Sequence, residues 1–392
     1  MKTQTRLAIV LWSVVVLGLA SNARAYSWDE VLAVARKEGS VVAVLGGSAS
    51  RNYRPIFKIF EEKFGIRTVV STGGGSKQAD RLLAEKRAGK SEVDVIMTGG
   101  TTAVTRLVPN GVLDPISPVF FLPEVVDPSH WFKGRHLYSD PEEKYVLAFS
   151  GTADAAPIVV RFNTEKLPIE EANKIDSMWQ FLDKRFAGQI AALPPTISGA
   201  GGTYFVAMVH PDLGEKYLRR FYDPELKVTF TEDFRQIADG VAKGKYAVAM
   251  FVGSAGRDID NLSQKGLPVA NFTSVLKGRL LKERPVVGGS GASNNIMVAN
   301  RRPHPNATKL FINWFLSKEG QTAMQTLSDR IPDQTFRLDV TDRGKVRKSD
   351  MRQPGVEYLT LEHDPAIQKR RVADMKRAED LYLKVQRRSL TQ

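Results

Sequence analysis

The chain contains no cysteine among its 392 residues. Disulfides are therefore excluded, and so is an acylated-cysteine lipoprotein tether. Histidine is scarce. The five residues His130, His136, His210, His304 and His363 are scattered, and none forms the i,i+4 pair that would hold a metal on one helix face. Long apolar runs are missing beyond the first 25 residues, and neither an internal repeat nor a low-complexity tract interrupts the chain. A hydrophobic content of 42% is ordinary for a globular protein. Stability must come from core burial, which a chain of this length supplies, and two lobes are the expectation at this size.

The N-terminus reads as an address. Lys2 and Arg6 make it positive, an apolar run extends from Leu7 to Ala20, and Ala23-Arg24-Ala25 offers small residues around a cleavable bond. The run is short for a membrane span, which needs about 20 residues. Residues 1–25 are expected to be a signal peptide, with an exported mature chain starting at Tyr26. The formal charge is +13, and much of the excess sits in the tail, at Lys369-Arg370-Arg371, Lys376-Arg377 and Arg387-Arg388. No aromatic residues are interleaved there as a base-stacking platform requires, so no nucleic-acid partner is expected and a solvated helix face is favoured.

Past the leader, the pattern is strand, small-residue loop, helix. Ser27-Trp28-Asp29-Glu30 has capping-box spacing ahead of an amphipathic helix that Gly39 stops. Val41-Val42-Ala43-Val44-Leu45 is apolar at every position, as in a strand buried on both faces. Strands are expected again at Arg67–Val70 and Val93–Met97, each followed by a Gly/Ser/Thr loop and a helix. Three such units define a doubly wound α/β lobe. Further strands at Pro157–Phe162, Gln189–Leu193 and Lys245–Met250 imply a second one, with a helical stretch over 176–187. Asn295–Ala299 reads as a last strand, and Pro305-Asn306 starts a helix carrying Leu310, Phe311, Trp314 and Phe315. Beyond Arg337 the chain is polar, then helical from about Asp364.

Open α/β sheets bind ligands beyond the carboxyl ends of their strands. Five loops occupy such ends: 46–51, 72–77, 98–102, 198–204 and 251–257. Their glycines admit close approach of backbone, and their hydroxyls and helix-start N–H groups favour a polar or anionic solute. The candidate ligand contacts are Ser48, Ser50, Arg51, Gly75, Ser76, Thr98 and Gly99 from one lobe. Ser198, Tyr204, Ser254 and Arg257 come from the other. Arg51 reads equally well as a solvated helix-start residue. Few acids lie in these loops. Enzyme motifs fit poorly: Gly288-Gly289-Ser290-Gly291-Ala292 lacks the following helix of a nucleophile elbow, and Gly75-Ser76-Lys77 lacks Walker spacing. Asp94 sits inside a buried-strand pattern and reads as a strand-end hydrogen-bonding residue. No catalytic residue, metal or cofactor is expected.

Several segments resemble one family. They are Glu38–Val42, Phe60 to Ile66, Gly73–Ser76, Leu82–Gly89 with Val93-Asp94-Val95, and above all His304-Pro305-Asn306-Ala307-Thr308-Lys309-Leu310-Phe311-Ile312-Asn313-Trp314 followed by Ser317–Gln321. Over roughly residues 28–330 the chain is similar to periplasmic binding proteins of the family 1 extracellular solute-binding type, in the branch with ferric-iron, thiamine, polyamine and phosphonate binders. The resemblance implies a type II periplasmic-binding fold, with two α/β lobes hinged by strands near 150–160 and 284–295. Lobe 1 would be 26–155 with 286–335, lobe 2 would be 156–285, and 336–392 a basic extension. It also implies a monomer that delivers solute to a membrane permease and its cytoplasmic ATPase. Ferric binders of this branch present adjacent tyrosines where this chain has Tyr204-Phe205, which leaves an anion favoured over iron. A sensor subunit for a membrane kinase and a secreted hydrolase built on Ser290 are the other readings.

Overall fold

The computed structural model describes residues 27–47, 49–197, 200–253, 255–288, 294–330 and 332–390. Its strands, in chain order, are β1 (Ser40–Gly46), β2 (Arg67–Gly73), β3 (Val95–Thr98), β4 (Leu113–Asp114), β5 (Leu137–Tyr138), β6 (Leu147–Ala148) and β7 (Thr152–Asp154). They continue as β8 (Val160–Asn163), β9 (Ile190–Ala192), β10 (Thr229–Phe230), β11 (Val248–Met250), β12 (Val269–Asn271), β13 (Val286–Gly288) and β14 (Asn295–Ala299).

The first sheet runs β2-β1-β3-β14-β6-β5, with β4 paired to β14. β1, β2 and β3 are parallel, and β14 returns antiparallel beside β3. Burial of β1 at every position but the half-buried Val42 has a direct cause. Val41, Ala43 and Leu45 enter the core under the helix Pro305–Leu316, while Val44 points to the opposite core with Ala79 and Leu82 of the helix Gly75–Arg87. Alternating side chains thus fill two apolar layers, which is why no polar residue interrupts the run. The helix before β1 spans Trp28–Glu38, with the capping box and the left-handed Gly39 stop that its sequence predicts.

The second sheet runs β10-β9-β11-β8-β12 around a separate core containing Phe162, Ile190, Tyr217, Val248 and Phe251. Over 176–187 the expected helix is two 3₁₀ segments, Met178–Leu182 and Lys184–Phe186. The Glu283 carboxylate accounts for part of this. It accepts from the Met178 N–H at 3.0 Å and from Ser177 Oγ at 2.5 Å, holding the first turn to a neighbouring chain segment.

Between the sheets, β7 and β13 pair antiparallel as Thr152↔Gly288, Ala153↔Val287 and Asp154↔Val286. These are the crossing strands expected near 150–160 and 284–295. The tail is the part whose place the sequence left open. Val286 bridges to Leu359, Leu361–His363 lies against β13, and the helix Arg371–Leu390 packs on the helix Gly201–Val209. Ala378 is fully buried there, and the Tyr382 ring meets Phe230 edge-on at 4.9 Å. An apolar stripe hidden within a basic sequence anchors this helix.

At the amino ends of β1 and β3, Asp94 ties three segments together. Its carboxylate accepts from Val42 N at 2.8 Å and His304 N at 2.9 Å, and lies 2.8 Å from His304 Nδ1. His304 Nε2 is in turn 3.1 Å from Ser40 Oγ. The order Ser-His-Asp is that of a nucleophilic triad, but it stands at the sheet edge opposite the strand-end loops. It clasps the helix Pro305–Leu316 to the sheet, in keeping with the strand-end role expected for Asp94. Replacing Asp94 by Ala strands two main-chain N–H groups and should lower the unfolding free energy by about 3 kcal/mol in urea titration. A loss under about 1 kcal/mol would show that the clasp is dispensable.

Candidate functional site

The site is set by where the parallel strands end. Gly46 and Gly73 are paired in register, and Leu45 is level with Met97, so the loops after β1, β2 and β3 emerge together. They emerge into contact. A Cβ on Gly46 would stand 2.6 Å from Thr98 Oγ1 and 3.0 Å from Gly75 Cα. One on Gly75 would stand 3.1 Å from Thr98 Oγ1 and 3.4 Å from Thr102 Oγ1. Glycine is required at Gly46 for this close approach rather than for a left-handed turn. Thr98 is 3% exposed, and its hydroxyl has no hydrogen-bond partner among the described residues. The helix Gly75–Arg87 starts beside it at Gly74, whose N-cap position carries no capping side chain of its own. Gly99 likewise leads uncapped into the turn Gly100–Thr102. Ser76 is half-buried in the first turn of Gly75–Arg87. Gly75, Ser76, Thr98 and Gly99 are thus brought together at one sheet edge.

Ser48, Ser198 and Ser254 lie outside the described residues, as do Ser290 and the 1–25 leader. The side chains of Ser50, Arg51 and Arg257 lie outside them too. Tyr204 is placed elsewhere than a cleft wall. It is fully buried, its hydroxyl donates to Leu193 O at 2.6 Å, and its ring stacks on Phe251 at 4.1 Å. Burial first, then Tyr222 and Tyr382, push its phenol well above the ordinary range. The aromatic character that marked it as a ligand contact serves the core of the second sheet.

The loop 98–102 faces the start of the helix Gly201–Val209. A Cβ on Gly202 would lie 3.3 Å from Thr101 Oγ1. Arg371 from the tail joins the two. It is 1% exposed, donates to Thr101 Oγ1 and to Gln368 Oε1 (2.9 Å), pairs with Glu362 at 3.3 Å, and lies 4.6 Å over the Phe205 ring. Its neighbour His363 is buried, with Nδ1 3.3 Å from Ser139 Oγ. Burial, then the Arg371 charge, pull its imidazole down to about 3, so it stays neutral.

A group of charged residues that sequence reasoning missed surrounds the crossing strands. Asp154 ends β7. Asp333 accepts from Thr152 Oγ1 at 2.7 Å and from Asn294 Nδ2. Arg161 binds Asp260 through two nitrogens, at 3.1 and 2.9 Å, and Arg347 pairs with Asp350 at 2.7 Å. These residues come from β7, β8, the helix Ala255–Gln264 and the tail, and no local spacing links them. Burial first, then Asp350, raises the Asp154 carboxyl to about 8, with Asp333 adding and Arg161 and Arg347 opposing. Burial is also the largest cause of the upward shift at Asp333.

Two sheets, each packed in its own apolar layers, joined by crossing strands and meeting at strand-end loops, make a two-lobed α/β fold. The chain belongs to the bacterial extracellular solute-binding protein family, whose profile matches residues 56–348. No curated protein sequence matches it. Among solved structures it is similar to the periplasmic binding protein AfuA of Actinobacillus pleuropneumoniae with fructose-6-phosphate bound, at 17% identity and TM-score 0.57, covering 88% of this chain and 99% of that one. It is similar to iron-bound HitA from Pseudomonas aeruginosa at 19% identity and TM-score 0.54, with the same coverage of 88% and 99%. MotA from A. tumefaciens B6 in complex with glucopine matches at 15% identity and TM-score 0.56, again covering 88% and 99%. These likenesses carry the fold. Family membership makes the chain a solute-binding protein of the ABC-transporter type, with an extracytoplasmic place of action, and family and neighbours are binding proteins rather than enzymes.

Two outcomes follow from the packing. Gly46→Ala drives a methyl group into Thr98 and the Gly75 backbone, and should destabilise the fold by about 1–3 kcal/mol in chemical denaturation. An unchanged midpoint would show that the three loops are not in contact. For Asp154 the raised folded-state value means that the native state holds a proton the unfolded chain has lost. Its contribution to stability is therefore present below about 3.9 and falls as pH rises toward about 8. Asp154→Asn should flatten that decline and be the more stable protein at pH values above 8; a parallel decline in both proteins would overturn the assignment.

Proposed function

We propose that this protein captures a small polar anion between its lobes and delivers it to the permease of an ABC importer, whose separate ATPase drives transport. The observation that carries the anion reading is Thr98. Its buried hydroxyl lacks a partner among the described residues, at the point where Gly46, Gly75 and the glycine-led start of the helix Gly75–Arg87 converge. A helix start offers N–H groups and a positive dipole end, and a hydroxyl beside it completes a donor set for a phosphoryl, phosphonyl, sulfonyl or carboxylate group. Delivery and export rest on family membership and on the basic, apolar N-terminus.

Tyr204 weighs against the ferric reading. Iron of that kind is held by phenolates, and a phenol pushed upward by burial and already bonded to Leu193 O resists ionisation. The fructose-6-phosphate bound to AfuA is an example of the favoured class, and the iron of HitA of the disfavoured one. Capture proceeds by a shift from open to closed lobes, driven by contacts made only when both lobes touch the solute.

The test is thermal unfolding of ligand-stripped protein against inorganic phosphate, methylphosphonate, sugar phosphates, sulfonates, carboxylates and ferric citrate. A solute at 100 times its dissociation constant stabilises by about 2.7 kcal/mol. An oxyanion is expected to give the shift, and Thr98→Val to weaken it by roughly tenfold, about 1.4 kcal/mol. A shift with ferric iron alone, accompanied by tyrosinate absorbance, would replace the anion reading.

A further inference from the structure

Asp154 stands where the two lobes cross, at the end of β7 beside Val286. It is 7% exposed, and among the described residues its carboxylate accepts no hydrogen bond and forms no ion pair. It lines a cavity with Thr203, Val206, Val286, Gly288 and Glu362. That cavity is bounded by both crossing strands, by the helix Gly201–Val209 and by the tail.

The nearby cations are already committed. Arg161 is held through two nitrogens by Asp260, and Arg347 is held by Asp350. Asp333 is satisfied by Thr152 and Asn294. Four carboxyl groups therefore share two guanidinium groups, and Asp154 is the one without a donor. A carboxyl buried without a hydrogen-bonding partner costs free energy unless something supplies a donor. The cavity is also next to the anion-binding loops. Thr203 lines it, Gly202 packs against Thr101, and Thr101 belongs to the loop that starts at Thr98.

We infer that Asp154 is a recognition group for a cationic nitrogen of the solute, so that the captured ligand carries an ammonium or amidinium group besides its anion. The inference rests on the reading of the protein as an anion-capturing binding protein, and it narrows the substrate class to bipolar solutes. An ammonium donates up to three hydrogen bonds and fills the place of the missing donor, and closure would desolvate the pair. In the free protein the raised carboxyl keeps Asp154 protonated at neutral pH, so binding of a cationic group expels that proton. Asp350 and Asp333 oppose ionisation, while Arg161 and Arg347 favour it; Glu362, which lines the same cavity, is paired with Arg371, and affinity for the cation should therefore climb as pH approaches 8.

The experiment uses matched pairs, phosphoethanolamine against ethylene glycol monophosphate and γ-aminobutyrate against γ-hydroxybutyrate, by calorimetry on the whole protein and on Asp154→Asn. Methylammonium chloride against sodium chloride at equal ionic strength serves as a probe without an anion. The amino member of a pair is expected to bind roughly tenfold more tightly, with the ratio collapsing toward one in Asp154→Asn. If both members bind equally well to the wild-type protein, the cation inference falls and anion capture stands. If no anion binds but methylammonium stabilises the wild type and not Asp154→Asn, anion capture falls and the role of Asp154 stands. Silence from both sets overturns both. Thermal midpoints of the unliganded variant separate a loss of recognition from a loss of fold.

Discussion

Two cores that share no strand depend on what crosses between them, and the strand part of that crossing is three residue pairs between β7 and β13. Everything at the site inherits that constraint. Ala153 and Val287 point into the first core, which fixes the crossing to that lobe. Alternation along an extended strand then turns Thr152 and Asp154 the other way, toward the junction. So short a ladder leaves the burial of its polar groups to the segments packed around it. Asp154, Asp333 and Asp350 are thus collected in one place by topology rather than by sequence proximity.

The tail answers part of that exposure. From Leu359 it pairs with β13, passes Glu362 and His363 along the junction, and turns at Arg371 into a helix on the second lobe. Arg371 is the joint. Its charge is buried, which is expensive alone, but Glu362, Gln368, Thr101 and the Phe205 ring surround it. Glu362 and Gln368 belong to the tail itself and Phe205 to the second lobe, while Thr101 is the partner from the first lobe. The contact between Thr101 and Arg371 thus links the lobes at a second place besides the strand pair.

The sequence was legible where one short segment settles its own environment. The apolar run of β1 meant burial on both faces, Gly39 meant a helix stop, and the Gly/Ser/Thr loops marked the carboxyl edge of the first sheet. Gly75, Ser76, Thr98 and Gly99 were placed at that edge this way. Tyr204 illustrates the opposite case. Its position in a loop-to-helix segment matched a ligand contact, yet an amphipathic aromatic is equally satisfied by a core with one carbonyl, and Leu193 provides it. Nothing local distinguishes the two. The basic tail was similarly opaque, because its buried face is a sparse stripe of Ala378, Leu381, Tyr382 and Val385 between charges.

Asp154 was missed for a deeper reason. A carboxylate on a three-residue strand carries no periodicity or motif, and its chemistry depends on which distant arginines are already taken. Arg161 and Arg347 act on it through their charge alone, because Asp260 and Asp350 hold them. The function of the residue is thus defined by a shortage, and a shortage is a property of the assembled junction. In a binding protein such a shortage has a use. A donor brought by the solute relieves it, and relief is available only when the solute is seated between the lobes. The same buried carboxyl that costs stability in the empty protein then rewards closure around the right ligand, which links the strain at the crossing to the selectivity of capture.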